Sequence, residues 1–310
     1  MTHAATKQSA LWLAAALGLS ACGAHHTPAA PPIAPEPIVH IVTASPAGIL
    51  VNAYLIEAAA GVVAVDSALT VSDARALRAA LDALHKPLLA VLLTHGHPDH
   101  YNGVSALIEG LGKVPVYATP EVSTVITGAD AAKEAQWKPM FGDEWPARRT
   151  FPDHLLASGE ALEIGGLRFS VHAVGPGESH ADSYWRLEGN TPRVFLGDIV
   201  LYGEHAFVSD GHTSAWLATL ARLSRELGDV RTFYPGHGRP GGPELLQWQA
   251  DYLRAYRAQV ETLRAGLSSL SDEQKQALSA HMKALYPEAG IDFLIALGAD
   301  AVATELAREH

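Results

Sequence analysis

Thr94-His95-Gly96-His97-Pro98-Asp99-His100 follows directly on the run Leu88 to Leu93, LLAVLL. A continuous apolar run of that length predicts a strand buried on both faces. Packing alone does not explain three histidines and an aspartate at the end of such a strand. Side chains repeat every two residues along an extended chain, so His95 and His97 project to the same side. Beyond Pro98 the chain turns toward a helix, which aims Asp99 and His100 in another direction, within reach of a second centre. Neutral imidazoles and carboxylates held rigidly, with one position left open, are what a catalytic zinc requires. The segment therefore predicts a metal site, and its two directions predict room for two ions.

Working outward, the stretches IVHIV, ILVNAYLIE and GVVAVDS before it read as strands, being β-branched and punctuated by Gly, Pro and Asn. Between them and LLAVLL, Leu77, Leu81 and Leu84 fall at helical spacing and predict a helix over 71–84. After the histidine cluster, helix, strand and helix alternate through Val125. Residues 129–153, with Trp137, Met140, Phe141, Trp145 and Pro146, read as an irregular insertion, and Trp137, Phe141 and Trp145 are candidates for an apolar lid over the site. Strands resume at 161–164, 167–172, 183–187 and 193–196, followed by a helix over 214–227 and a short strand at 232–234. From Pro243 the chain reads as helical, over 244–265, 272–285 and 291–307. The order β-rich, α, β, repeated once, predicts two β-layers each covered by helices, an α/β protein of αββα sandwich type. The folded domain is expected over 38–265, with C-terminal helices of 266–310 packed on it.

The chain has 310 residues, 48% hydrophobic and 18% charged, which suits a large globular core. Its net charge of -11 repels phosphate backbones and makes nucleic acid a poor partner. A small-molecule substrate is expected instead, and no protein partner can be inferred. The only cysteine is Cys22, so no intrachain disulfide forms. Lys7, the apolar run Leu11 to Leu19 and then Leu19-Ser20-Ala21-Cys22 have the layout of a signal peptide over 1–21. The last four residues resemble the bacterial lipobox, which implies cleavage before Cys22, acylation of its thiol and a membrane tether outside the cytoplasm. With Gly23 and Ala24 rather than aspartate after it, an outer-membrane lipoprotein facing the periplasm is expected, or a secreted or periplasmic protein if Cys22 stays free. The Pro- and Ala-rich residues 22–37 read as an extended linker.

THGHPDH matches the signature H-x-H-x-D-H, and the chain here resembles the metallo-β-lactamase superfamily. Further motifs recur in the family's order: Asp66 at the end of AVDS, His180 in GPGESHADS, Asp198 at the end of VFLGD and His237 in YPGHG. The resemblance covers roughly residues 39–240 and implies two face-to-face sheets with a metal cleft at one edge. It implies one zinc on His95, His97 and His180, and a second on Asp99, His100 and His237, with Asp198 bridging and Asp66 supporting the ligands from behind. It also implies a hydrolase in which a hydroxide held between the two ions attacks a small ester, thioester, lactone or related centre, with Asp99 orienting the water. Iron or manganese would also suit nitrogen and oxygen ligands without thiolate.

GPGESHADS is similar to the corresponding stretch of class B1 β-lactamases, so a class B-like β-lactamase is an alternative. Where those enzymes carry a bridging cysteine this chain has Asp198, and Leu201 stands where they often have a lysine for the substrate carboxylate. Aspartate at the bridge is typical of branches that hydrolyse thioesters, lactones and phosphodiesters. A mononuclear iron dioxygenase acting on sulfur species uses similar ligands and is a further alternative. Tyr202, His205 and His212, just past Asp198, are candidates to line the cleft together with Trp137 and Trp145. The basic residues expected of a glutathione-binding glyoxalase II do not stand out in the C-terminal helices.

Overall fold

The computed structural model describes Met1 and residues 36–309. The segment read as signal peptide and linker, Cys22 included, lies outside the described residues except for Met1 and Glu36-Pro37. The chain from Glu36 onward runs through β1 (Ile38–Thr43), β2 (Asn52–Glu57), β3 (Val62–Val65), α1 (Val71–Ala83), β4 (Leu88–Leu92), α2 (Pro98–Tyr101), α3 (Val104–Leu107), β5 (Val116–Ala118), α4 (Pro120–Phe141) and β6 (His154–Leu155). It continues through β7 (Ala161–Ile164), β8 (Leu167–Gly175), β9 (Asp182–Leu187), β10 (Arg193–Leu201), α5 (Thr213–Glu226), β11 (Thr232–His237), α6 (Glu244–Arg264), α7 (Asp272–Leu285), α8 (Phe293–Leu297) and α9 (Ala299–Glu309).

The strands form two sheets, ordered β1-β2-β3-β4-β5-β6 and β11-β10-β9-β8-β7. Along β4 the side chains alternate between two apolar environments. Ala90 and Leu92 pack between the sheets, on Phe169, Trp185 and Phe195 among others, whereas Val91 and Leu93 pack toward α1, α3 and α4. Both faces are covered, which is why the strand carries no polar alternation. The second sheet repeats the pattern, with Phe195 inward and Val194 and Leu196 turned toward α5 and α6. The result is the αββα sandwich. Helices α7 to α9 contribute Leu278, Met282, Ile295, Val302 and Leu306 to the same outer core as α5 and α6, so they share a core with the preceding helices.

Two stretches depart from the sequence expectation. The region expected to be irregular is helical as far as Phe141, because α4 starts at the Thr119 cap and Pro120 and runs on without a break. Its core anchors are Val122 and Ile126, near its start. Farther along, Arg149 holds it by bonding Asp130 and Glu134 at 3.2 and 3.0 Å, and the Tyr101 hydroxyl donates to Asp130 at 2.9 Å. The helix expected over 291–307 is split at Gly298, where the backbone lies so close to Val208 that a Cβ would stand 2.3 Å from its Cγ2.

The sheets are stitched together along one edge. Trp185 Nε1 donates to Leu93 O at 2.9 Å, Ser183 donates to Thr94 O through both N and Oγ, and Asn52 Nδ2 donates to Gly238 O at 2.6 Å. These bonds fix the ends of β4, β9 and β11 side by side. The histidine-bearing segments emerge at that edge.

Candidate metal centre

Two groups of buried donors meet where β4, β9, β10 and β11 end. One is His95, His97 and Glu178, and the other is Asp99, His100, Asp198 and His237; within each group the donor atoms lie within 4.8 Å of one another. In the first, Glu178 Oε2 is 3.4 Å from His95 Nε2 and 2.7 Å from His97 Nδ1. In the second, His100 Nε2 is 3.2 Å from Asp99 Oδ2 and 3.1 Å from Asp198 Oδ1, while His237 Nε2 is 3.2 Å from Asp99 Oδ2 and 3.3 Å from Asp198 Oδ2. Zinc bonds of about 2.0–2.1 Å in a tetrahedron place neighbouring donors about 3.3 Å apart. His95 Nε2, His100 Nε2, Glu178 Oε2 and Asp198 Oδ1 are moreover buried and, close as they lie to one another or to other donors, make no hydrogen bond of good geometry. Buried polar atoms left unsatisfied are costly, and atoms converging at this spacing fit a divalent ion.

The surroundings orient the ligands. Asp66, at the end of β3, adopts a left-handed φ of 58°, a conformation that costs energy for a residue with a Cβ and concentrates at functional sites. It accepts from Thr94 N at 2.9 Å and Thr94 Oγ1 at 2.8 Å, and lies 2.8 Å from His100 Nδ1. A proton on that Nδ1 leaves His100 Nε2 free to face Asp198. Asp210 does the same for His97, with Oδ2 3.3 Å from Nε2 while Nδ1 faces Glu178. Gly236 allows the close approach of β11 to β10, since a Cβ there would stand 1.8 Å from Asp198 Oδ1.

Charge follows from burial and pairing. Burial pushes the His95 imidazole well below its ordinary value, and the His100 charge adds to that, so His95 is neutral and ready to ligate. Burial opposes the charge of Asp198, but His237 and His100 outweigh it and hold the carboxyl below the usual carboxylate range. Burial likewise raises Glu178, to about 8, against the pull of His97.

His180 is not part of either group. Its side chain is 60% exposed, and its Nδ1 lies 2.7 Å from His212 Nε2. The cause is the turn before β9. Asp182 accepts from Glu178 N at 2.8 Å, Ser179 N at 3.2 Å and Ser179 Oγ at 2.5 Å, and this clamp turns Glu178 inward and His180 out. Glu178 thus stands beside His95 and His97, and His180 stands outside the group.

A cleft opens over the donors, its empty space of about 580 Å³ including the solvent at its mouth. Trp137 and Phe141 line it, as do Leu69, Phe207, Phe293 and Leu294. Trp145 does not. It is buried behind the wall, against Phe141 and the Arg149 guanidinium. Three other candidates also lie outside the lining. Tyr202 packs on Trp248, His205 is buried with Nδ1 3.1 Å from the Tyr252 hydroxyl, and His212 precedes α5 beside His180. Sequence reasoning missed Glu178, Asp210, Phe207 and Lys133. The one available signal was the four-residue spacing of Lys133, Trp137 and Phe141, which places them on one face of a helix.

The chain belongs to the metallo-beta-lactamase superfamily, whose family model matches residues 47–237. It is similar to hydroxyacylglutathione hydrolase of Xylella fastidiosa (strain M12), 30% identical over 146 residues, 46% of this chain and 45% of that one. The match thus spans a little under half the length of that curated relative. Metallo-beta-lactamase type 2 of Bacillus sp. (strain 170) is 23% identical over 208 residues, 66% of this chain and 72% of that one. Among solved structures, a metallo-beta-lactamase family protein from Thermus thermophilus superposes with a TM-score of 0.63 at 27% identity, covering 87% of this chain and 93% of that one.

Proposed function

We propose that this protein is a hydrolase that holds two divalent ions, zinc foremost, and cleaves a small carboxylic ester, thioester or lactone. The observation that carries the reading is the pair of adjacent buried donor groups, spaced as zinc ligands are, at the floor of an apolar cleft. Similarity to a hydroxyacylglutathione hydrolase supports acyl chemistry. His95, His97 and Glu178 would hold one ion, and Asp99, His100, Asp198 and His237 the other. Bound there, zinc supplies Lewis acidity that polarises a carbonyl and lowers the pKa of water. The chain supplies the rest. Asp66 and Asp210 keep the His100 and His97 rings in register with their ligating nitrogens inward. Asp99 faces His100 and His237 through Oδ2 and borders the cleft, where it would orient an attacking water. Trp137, Phe141 and Phe207 exclude bulk water from the reacting side.

The test is turnover of a panel of esters, thioesters, lactones and a chromogenic cephalosporin by purified protein, with chelator and with zinc restored. Hydrolysis of an acyl ester, thioester or lactone that chelation abolishes and zinc restores is expected. A protein that binds no metal and hydrolyses nothing on the panel contradicts the proposal. A second reading, β-lactam hydrolysis, is favoured by the similarity to the Bacillus enzyme, and efficient cephalosporin turnover would establish it. Asp198 and Leu201 weigh against it. Iron as the native metal, with oxygen uptake on sulfur substrates, is the remaining alternative, and metal analysis decides it.

A further inference from the structure

Helix α4 presents Lys133, Trp137 and Phe141 to the cleft, four residues apart and therefore on one face. Trp137 and Phe141 extend the apolar wall. Lys133 breaks it. Among the described residues, and apart from the imidazoles of the donor groups, it is the only basic side chain lining the cleft. Its Nζ sits 5.3 Å from the centre of the Phe207 ring, and among the described residues no carboxylate lies within 4.0 Å of it, although most lysines and arginines of the chain have such a partner.

An unpaired ammonium half-buried among aromatic rings is poorly solvated, and an anion placed beside it gains more than it would at an open surface. The wider electrostatics make the position specific. The chain carries a net charge of -11, which disfavours approach of any anion by field alone. Two divalent ions would bring four positive charges against the five carboxylates Asp66, Asp99, Glu178, Asp198 and Asp210, and Lys133, whose charge reaches Asp210, balances the remainder, so an anion entering beside Lys133 meets a nearly neutral floor in an acidic protein. The lysine at the class B1 substrate position is absent, replaced by Leu201, which is buried. The cation here comes instead from a different element, α4, which also presents Trp137 and Phe141 to the cleft.

We propose that Lys133 selects the substrate. The preferred ester or thioester is amphiphilic, with an apolar body against Trp137, Phe141 and Phe207 and one anionic group paired with the Lys133 ammonium. This rests on the hydrolase reading for the reaction but not for the binding, so the two are tested apart.

The deciding measurement is calorimetric binding of 4-phenylbutane-1-sulfonate and of 4-phenylbutan-1-ol to the zinc-loaded protein. A sulfonate is a poor zinc ligand, which keeps the comparison on Lys133. The sulfonate is expected to bind about tenfold more tightly than the alcohol at low salt, a preference that shrinks in 0.5 M sodium chloride. Lys133→Gln is expected to lose the preference and Lys133→Arg to retain most of it, with the melting temperature of each close to that of the parent. In turnover, phenylacetyl thioesters of 2-mercaptoethanesulfonate and of 2-mercaptoethanol should differ in KM by a similar factor in the parent and not in Lys133→Gln, with kcat alike. A parent that binds both ligands equally, or a sulfonate preference that survives in Lys133→Gln, overturns the inference. Absence of turnover with intact sulfonate selectivity overturns the hydrolase reading and leaves the Lys133 assignment standing.

Discussion

Removing one side chain tells apart the two residues that compete for the place beside His95 and His97. Glu178→Ala takes away a buried carboxylate 2.7 Å from His97 Nδ1, and metal analysis is expected to find two zincs per chain in the parent and one in that variant. His180→Ala removes an exposed ring that touches His212, and the variant should keep both ions. The reverse pattern would return the ligand role to His180. That pair also shows what a sequence can carry at this scale. His95, His97, Asp99 and His100 were legible because four ligand-type residues on a strand end and its turn constrain their own directions. The choice between Glu178 and His180 was not, because residue type favours histidine as a zinc ligand, whereas the direction of each side chain is set by Asp182 bonding the turn from within.

At the scale of the element, α4 decides the shape of the cleft. Its first turns are anchored by Val122 and Ile126, but its second half, which carries Lys133, Trp137 and Phe141, is held by Arg149 through Asp130 and Glu134. Arg149 is almost fully buried, so these bonds are screened less than surface pairs. Arg149→Ala should therefore loosen the wall more than the core. The expected outcome is a KM raised about threefold to tenfold with kcat and zinc content little changed, and a melting temperature lowered by about 2–4 °C. Steady-state kinetics beside a thermal melt checks it, and a fall in kcat with unchanged KM would contradict it. The second half of the helix escaped sequence reading because Gly128 and Pro139 lower helical propensity and the aromatic residues give no continuous buried stripe. Its second half is helical because ionic anchors and the preceding turns carry it, not because it buries a face. Strands β3 and β4 were legible for the opposite reason, since they advertise burial on both faces by unbroken apolar runs.

For the whole molecule, the donors join two sheets that otherwise meet through Trp185, Phe195 and their neighbours. Ions bound at that edge bind the folded state only, and ligand linkage then stabilises it by about 2.7 kcal/mol at a free concentration a hundredfold above the dissociation constant. For a chain of this size that corresponds to a rise in melting temperature of about 5–10 °C. Chelator should lower the melt by that amount and zinc should restore it at pH 7.5. At pH 5 added zinc should have little effect, because protons compete for the imidazoles that must be neutral to ligate. A melt indifferent to chelator at pH 7.5 would show that the donor groups hold no ion.

Every donor lies between His95 and His237, inside the span that the superfamily shares, 47–237. Phe293 and Leu294, which close one side of the cleft, come from α8, more than fifty residues beyond the last donor. Part of the fit is thus written beyond the stretch of the gene that carries the reactivity. An exchange of the tail re-tailors the cavity for another molecule and leaves the reactive floor as it was, which gives such a lineage a short route to new substrates.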